Sequence, residues 1–81
     1  MTQILTVIFY RTTQGREPVR EWLKNFSPTE RKVIGEDLKT VQRTWPVGMP
    51  LVRPLGDNLW EIRSHLDNRI VRILFFIRET K

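Results

Sequence analysis

The sequence has no cysteine and a single histidine. The first absence excludes a disulfide framework, thiolate metal ligation and thiol catalysis, and it suits a reducing compartment, so the cytoplasm is the expected location. With His65 the only imidazole, no Ser-His-Asp arrangement can be argued from pattern, and a multi-His metal site within one chain is excluded. Long apolar runs are also missing. The longest, Ile73 to Ile77, is far below the roughly 20 residues of a membrane span, and the N-terminus lacks the basic-then-apolar pattern of a signal peptide. No membrane partner is expected. The four glycines show no phosphate-loop spacing, and Gly48-Met49-Pro50 reads as a loop. There are no repeats and no low-complexity segments.

What is present describes one small basic domain spanning residues 1–81. The chain carries 14 Lys and Arg against 9 Asp and Glu, a formal net charge of +5, and its pI is near 10.5. That balance favours an anionic partner such as nucleic acid or an acidic protein segment. A composition of 40% hydrophobic and 28% charged residues is that of a folded protein rather than a disordered tail. At this length only about 60% of the unfolded surface can be buried, which allows one core.

The hydropathy pattern predicts an α+β fold. Residues 3–11, QILTVIFYR, are β-branched, aromatic and apolar at nearly every position, as in a strand covered on both faces. After the polar turn Thr12-Thr13-Gln14-Gly15, Val19, Trp22, Leu23 and Phe26 form the stripe of a short amphipathic helix with Pro18 in its first turn. Ser27-Pro28-Thr29-Glu30 is a capping signal for a second helix, whose stripe Ile34, Leu38, Val41 and Trp45 ends at Pro46. Two antiparallel helices with a very short connection are expected. Gly35 weakens the second helix by about 1 kcal/mol unless it allows close packing.

Beyond Pro46 the chain turns to strands. A brief one is expected near Leu51 to Leu55. Asn58 to Leu66 alternates, with Trp60, Ile62, Ser64 and Leu66 on one side and Glu61, Arg63 and His65 on the other. Asp67-Asn68 is a two-residue hairpin signal, and the final strand runs from Arg69 to Arg78. Its parity sets Val71, Ile73, Phe75 and Ile77 against Arg72, Leu74, Phe76 and Arg78. The three tryptophans are expected to serve packing.

Hairpin parity therefore brings Glu61, Arg63 and His65 alongside Arg72, Leu74, Phe76 and Arg78, giving a cationic sheet face with apolar residues between the charges. Guanidinium groups on rigid strands hold phosphates in a fixed fork, and an adjacent aromatic offers a base a stacking surface. Taken alone, the same pattern is also that of a solvated outer face on which Glu61 pairs with an arginine for less than about 1 kcal/mol.

The order strand, two helices, loop, strand, strand, with Gly56-Asp57-Asn58-Leu59-Trp60-Glu61-Ile62-Arg63 and Arg69-Ile70-Val71-Arg72-Ile73-Leu74-Phe75-Phe76, resembles the HigB-like branch of the RelE/ParE toxin superfamily, including its phage-derived members. Phe9-Tyr10-Arg11, Gly15-Arg16 and Pro18-Val19 are similar to the opening of that branch. The resemblance implies a RelE-like fold, an N-terminal strand and a helical hairpin followed by antiparallel strands in one sheet packed on the helices. It also implies the toxin of a type II toxin–antitoxin system, a ribosome-dependent mRNA endoribonuclease using the RNA 2′-OH as nucleophile. The implied partners are a helix-turn-helix antitoxin and mRNA on the ribosome; no metal or cofactor is needed.

By position, Arg63 matches a basic residue of the family's hairpin strand and Arg72 the arginine that contacts the scissile phosphate. Glu61 and His65 are the candidate proton-transfer groups. Arg53, Arg63, Arg72, Phe76 and Arg78 are the candidate RNA-binding set. Relatives continue past the position of Lys81 with another strand and a helix, so an open sheet edge and pairing through it, as a homodimer or by partner capture, are expected. The alternative is a catalytically inactive module of the same fold that docks an antitoxin or another target such as gyrase.

Overall fold

A computed structural model describes residues 4–78. Its elements, in chain order, are helix α1 (Pro18–Leu23), helix α2 (Pro28–Thr44) and strands β1 (Val52–Gly56), β2 (Leu59–His65) and β3 (Ile70–Phe76). The strands form one antiparallel sheet in the order β1-β2-β3, with β2 in the centre. The α+β class holds, but the predicted layout does not.

Helix α2 begins where the capping signal places it. Ser27 Oγ accepts from the Glu30 N–H at 3.2 Å, and Glu30 Oε1 accepts from the Ser27 N–H at 3.0 Å, so two free donors of the first turn are satisfied reciprocally. Its stripe packs on β2. Ile34, Val41 and Trp45 are buried from the helix side, and Val52, Ile62 and Val71 from the sheet. Trp45 meets Trp60 and Phe75 edge-on, with ring centroids 5.2 and 5.6 Å away. Away from that stripe, the buried Ser64 hydroxyl donates to Asp37 Oδ2 at 2.6 Å and ties β2 to α2.

Two turns set the sheet register. Gly56, Asp57 and Asn58 all have positive φ, at 91°, 53° and 63°. Asp57 and Asn58 thus form a tight two-residue connection between β1 and β2, whose backbone suits the twist of antiparallel strands. The Asp67-Asn68 turn is where the sequence predicts it, and Leu66 donates its N–H to the Arg69 carbonyl at 2.9 Å to close it. Arg69 also reaches Glu30 at 3.1 Å and lies over the Phe26 ring, pinning this turn to the helix connection.

Three expectations are corrected. Within the predicted strand 3–11, residue 3 lies outside the described residues, and residues 4–11 form no strand. Both edges of β2 are already occupied by β1 and β3. The Leu5 N–H instead goes to the Gln42 carbonyl, and Gln42 Nε2 donates to the Leu5 carbonyl, which draws the segment toward the end of α2. Nor is it covered on both faces, since Ile4 and Ile8 are each 86% exposed. The apolar, β-branched composition reports suitability for a sheet without supplying the partner strand. Second, α1 buries no residue, and α2 is the helix that packs on the sheet. Third, Trp22 is not buried in the core; it is exposed and packs edge-on to Phe26, with centroids 5.0 Å apart.

Candidate functional site

The candidate site lies on the sheet face opposite α2. Strand parity makes this unavoidable: Trp60, Ile62 and Ser64 turn toward the helix, so Glu61, Arg63 and His65 turn away. Register then fixes the neighbours. Glu61 lies between Arg53 on β1 and Leu74 on β3, Arg63 lies opposite Arg72, and Leu59 lies opposite Phe76.

The Arg63–Arg72 pairing is of the close type. Arg63 donates its N–H to the Leu51 carbonyl at 2.8 Å, turning its backbone groups toward the β1 side. Its cross-strand pair with Arg72 is therefore non-hydrogen-bonded, the geometry in which Cα atoms approach to about 4.5 Å and side chains sit closest. Like charges in that position repel. Glu61 moderates the repulsion, because its Oε1 lies 3.8 Å from Arg63 Nε and 3.9 Å from Arg72 Nε.

Neither contact is a hydrogen bond at those distances. Arg63 Nε is fully buried and has no hydrogen-bond partner among the described residues. A buried donor left unsatisfied costs about 1–3 kcal/mol. The neighbouring Arg72 is more open, its side chain 55% exposed against 20% for Arg63. The result is a cationic patch with a buried guanidinium donor at its base and an exposed guanidinium beside it. An oxyanion with several acceptor atoms, such as a phosphodiester, suits it chemically.

The structure brings Glu61, Arg63 and Arg72 together and leaves the other predicted site residues around them. Arg53 is exposed on β1 in the row of Glu61, with no ion pair to it among the described residues. Leu74 and Phe76 continue outward along β3, 57% and 67% exposed, at intervals of about 6.6 Å from Arg72. His65 is exposed at the end of β2 opposite Ile70, two residues beyond Arg63. Arg78 is exposed beyond the end of β3. The apolar cleft lined by Trp45, Pro46, Val52, Pro54 and Trp60 involves the helix side of the sheet and none of these groups.

Sequence reasoning missed the Ser64–Asp37 hydrogen bond, which fixes β2 from behind the arginines. Its partners are 27 residues apart, and no local signal joins them. The Gly56-Asp57-Asn58 turn, which sets the Arg53–Glu61 row, was missed too, Asn58 being assigned to the strand, although three residues tolerant of positive φ stand together in the sequence.

The family described as "Phage derived protein Gp49-like (DUF891)" matches residues 21–81. The chain belongs to the Gp49-like family. This family falls within the RelE/HigB toxin-like group, and the match spans both helices' stripes from Glu21 onward and all three strands. Comparisons with curated proteins and with solved structures return no significant match. The Gp49-like match includes Glu61, Arg63 and Arg72. Among the described residues no helix is long and apolar enough to cross a membrane.

Proposed function

We propose that this Gp49-like protein is the toxin of a type II toxin–antitoxin pair and cleaves mRNA on the ribosome in the cytoplasm, its activity held in check by a helix-turn-helix antitoxin. The observation carrying the reading is the directly opposed Arg63–Arg72 pair, moderated by one carboxylate and holding a buried donor without a partner among the described residues.

The reaction is transesterification within the RNA. The ribose 2′-oxygen attacks the adjacent phosphorus, a 2′-O–P bond forms, the P–O5′ bond breaks, and the products carry a 2′,3′-cyclic phosphate and a 5′-hydroxyl. The nucleophile belongs to the substrate, so the protein aligns it, accepts its proton, stabilises the phosphorane and supplies a proton to the leaving oxygen. Arg63 and Arg72 grip the nonbridging oxygens. Glu61 lies between them and is the proton acceptor in this scheme. His65, at the exposed end of the same strand, donates to the 5′-oxygen. Phe76 stacks a flanking base, while Arg53 and Arg78 neutralise neighbouring phosphates.

Ribosome-programmed cleavage tests this directly. The protein should truncate mRNA, and Arg72→Ala should lower the rate by about 10²–10³. A transcript with a 2′-O-methyl group at the cut site should stay intact, and normal cleavage there would refute the mechanism. Intact mRNA at high protein concentration would end the nuclease reading. The exposed Leu74 and Phe76 beside the arginines favour the second reading, a catalytically silent module that docks an acidic antitoxin segment or a protein target such as gyrase. That module would bind its partner and leave ribosome-bound message uncut.

A further inference from the structure

We propose that Glu61 is a charge filter for the two arginines beside it: it sets them to accept the single charge of an internal phosphodiester and to refuse the double charge of a terminal phosphomonoester. The inference rests on the proposed reading of Arg63 and Arg72 as a grip for phosphate oxygens, and it names the residue that decides which phosphates they take.

The carboxylate acts through its charge rather than by holding the guanidinium groups in place. Where this protein does use a carboxylate to hold an arginine, the contact is short: Glu21 Oε1 lies 2.6 Å from Arg16 Nη2, and Glu30 Oε2 lies 3.1 Å from Arg69 Nη2. Glu61 Oε1 stands 3.8 and 3.9 Å from the Nε atoms of Arg63 and Arg72, beyond hydrogen-bond distance of both. An incoming phosphate therefore breaks no hydrogen bond between either Nε and Glu61. It does meet the negative charge, which water screens weakly because only 11% of the Glu61 side chain is exposed.

Charge matching then fixes the preference. Two guanidinium groups and one carboxylate leave a single net positive charge, which one phosphodiester neutralises. A phosphomonoester carries close to two negative charges above its second pKa of about 6. Its second charge has no cation left to meet within the pair and comes to rest beside Glu61. Two like charges about 4 Å apart cost about fivefold in affinity even at the dielectric of water, and more where one of them is nearly buried. Arg53, next to Glu61 in its row, is exposed and makes no ion pair with it among the described residues. Its charge is the same in every protein compared below and cancels. The filter admits internal positions of a strand and excludes phosphorylated ends.

Two uncleavable probes separate the charges. One is the 2′-O-methyl dinucleotide of uridine, with a single internal diester; the other is 2′-O-methyluridine 5′-monophosphate, a dianion at about pH 8. Titration at low salt, followed by NMR at the Arg63 and Arg72 amides, gives the ratio of the two affinities. Glu61→Gln should tighten both and shift the ratio toward the monoester by about fivefold. Glu61→Asp keeps the charge and should keep the ratio within about twofold of the wild type. Leu74 is exposed and faces Glu61 across the ladder. Leu74→Glu adds a second carboxylate there without touching the nearly buried one, and should shift the ratio toward the diester by about twofold or more. That variant keeps the test decisive if Glu61→Gln does not fold. One ratio common to the wild type, Glu61→Gln and Leu74→Glu would overturn the filter and leave the phosphate grip in place. Failure of both probes to bind at Arg63 and Arg72 would overturn the filter and the grip together. Cleavage is not read, so shifted ratios alongside intact ribosome-bound message would uphold the filter and end only the nuclease reading.

Discussion

Arg63 and Arg72 stand directly opposite each other across the β2–β3 ladder, and Glu61 Oε1 lies nearly equidistant from their Nε atoms, at 3.8 and 3.9 Å. That carboxylate is nearly buried, with 11% of its side chain exposed. The arrangement has a consequence for stability as well as for anion binding, because the same negative charge that shields the arginines from each other occupies the position an incoming phosphate would share.

Glu61→Gln removes the shielding charge and nearly preserves the shape. Arg63 is then a half-buried cation opposite a like charge. Breaking a fully buried pair costs about 3–5 kcal/mol, and the exposure of Arg72 reduces that figure here, so a loss of about 1–3 kcal/mol is expected. Urea denaturation measures it as a lower midpoint at constant slope. An unchanged midpoint would mean that water already screens the arginines from each other.

The same cluster predicts how binding responds to salt. If Arg72 contacts a phosphate, replacing it with Ala releases one fewer counterion, and the slope of log K against log salt for single-stranded RNA becomes shallower by about 0.7. Arg43, on α2, should leave the slope unchanged when replaced with Ala. Fluorescence titration at several salt concentrations separates the two, and equal slopes for wild type and Arg72→Ala would remove Arg72 from the interface.

Gly35 is a local weakness without a compensating contact. It sits within α2, and an added Cβ would meet nothing within 4 Å. The exception considered from sequence, that glycine permits close packing, does not apply. Gly35→Ala should stabilise the protein by about 1 kcal/mol through helix propensity and the reduced freedom of the unfolded chain. For a domain of this size that is about 4–8 °C in Tm. A lower Tm on calorimetry would show that the open space beside Gly35 is filled in solution.

What could be read from sequence was set by range. The Ser27 cap and the alternation of Trp60, Glu61, Ile62, Arg63 and Ser64 depend on residues a few positions apart, and both are in the structure as the pattern implies. The Arg63–Arg72 juxtaposition followed once the Asp67-Asn68 turn fixed the register. Residues 4–11 failed because apolar composition says nothing about which backbone will receive the hydrogen bonds; Gln42, 37 positions from Leu5, took them at that residue. Burial of Arg63 Nε was equally invisible, since it depends on how neighbouring side chains pack rather than on the local pattern.

The capping box gives the fold a defined response to acid. Glu30 titrates below its usual value of 4.5, chiefly because its carboxylate accepts from the Ser27 N–H, with the Ser27 side chain and the Arg69 charge acting in the same direction against partial desolvation. A carboxyl whose folded pKa is depressed binds its proton more tightly in the unfolded chain. Its stabilisation is therefore complete above the unfolded value and is lost as pH falls through the lower folded value. Glu30→Gln keeps an acceptor for the Ser27 N–H but cannot titrate, so its stability should decline less steeply than that of the wild type below about pH 4.5. Parallel urea midpoints measured from neutral pH downward test this. Curves that stay parallel through the acid range would mean that the Ser27–Glu30 bond is open in solution.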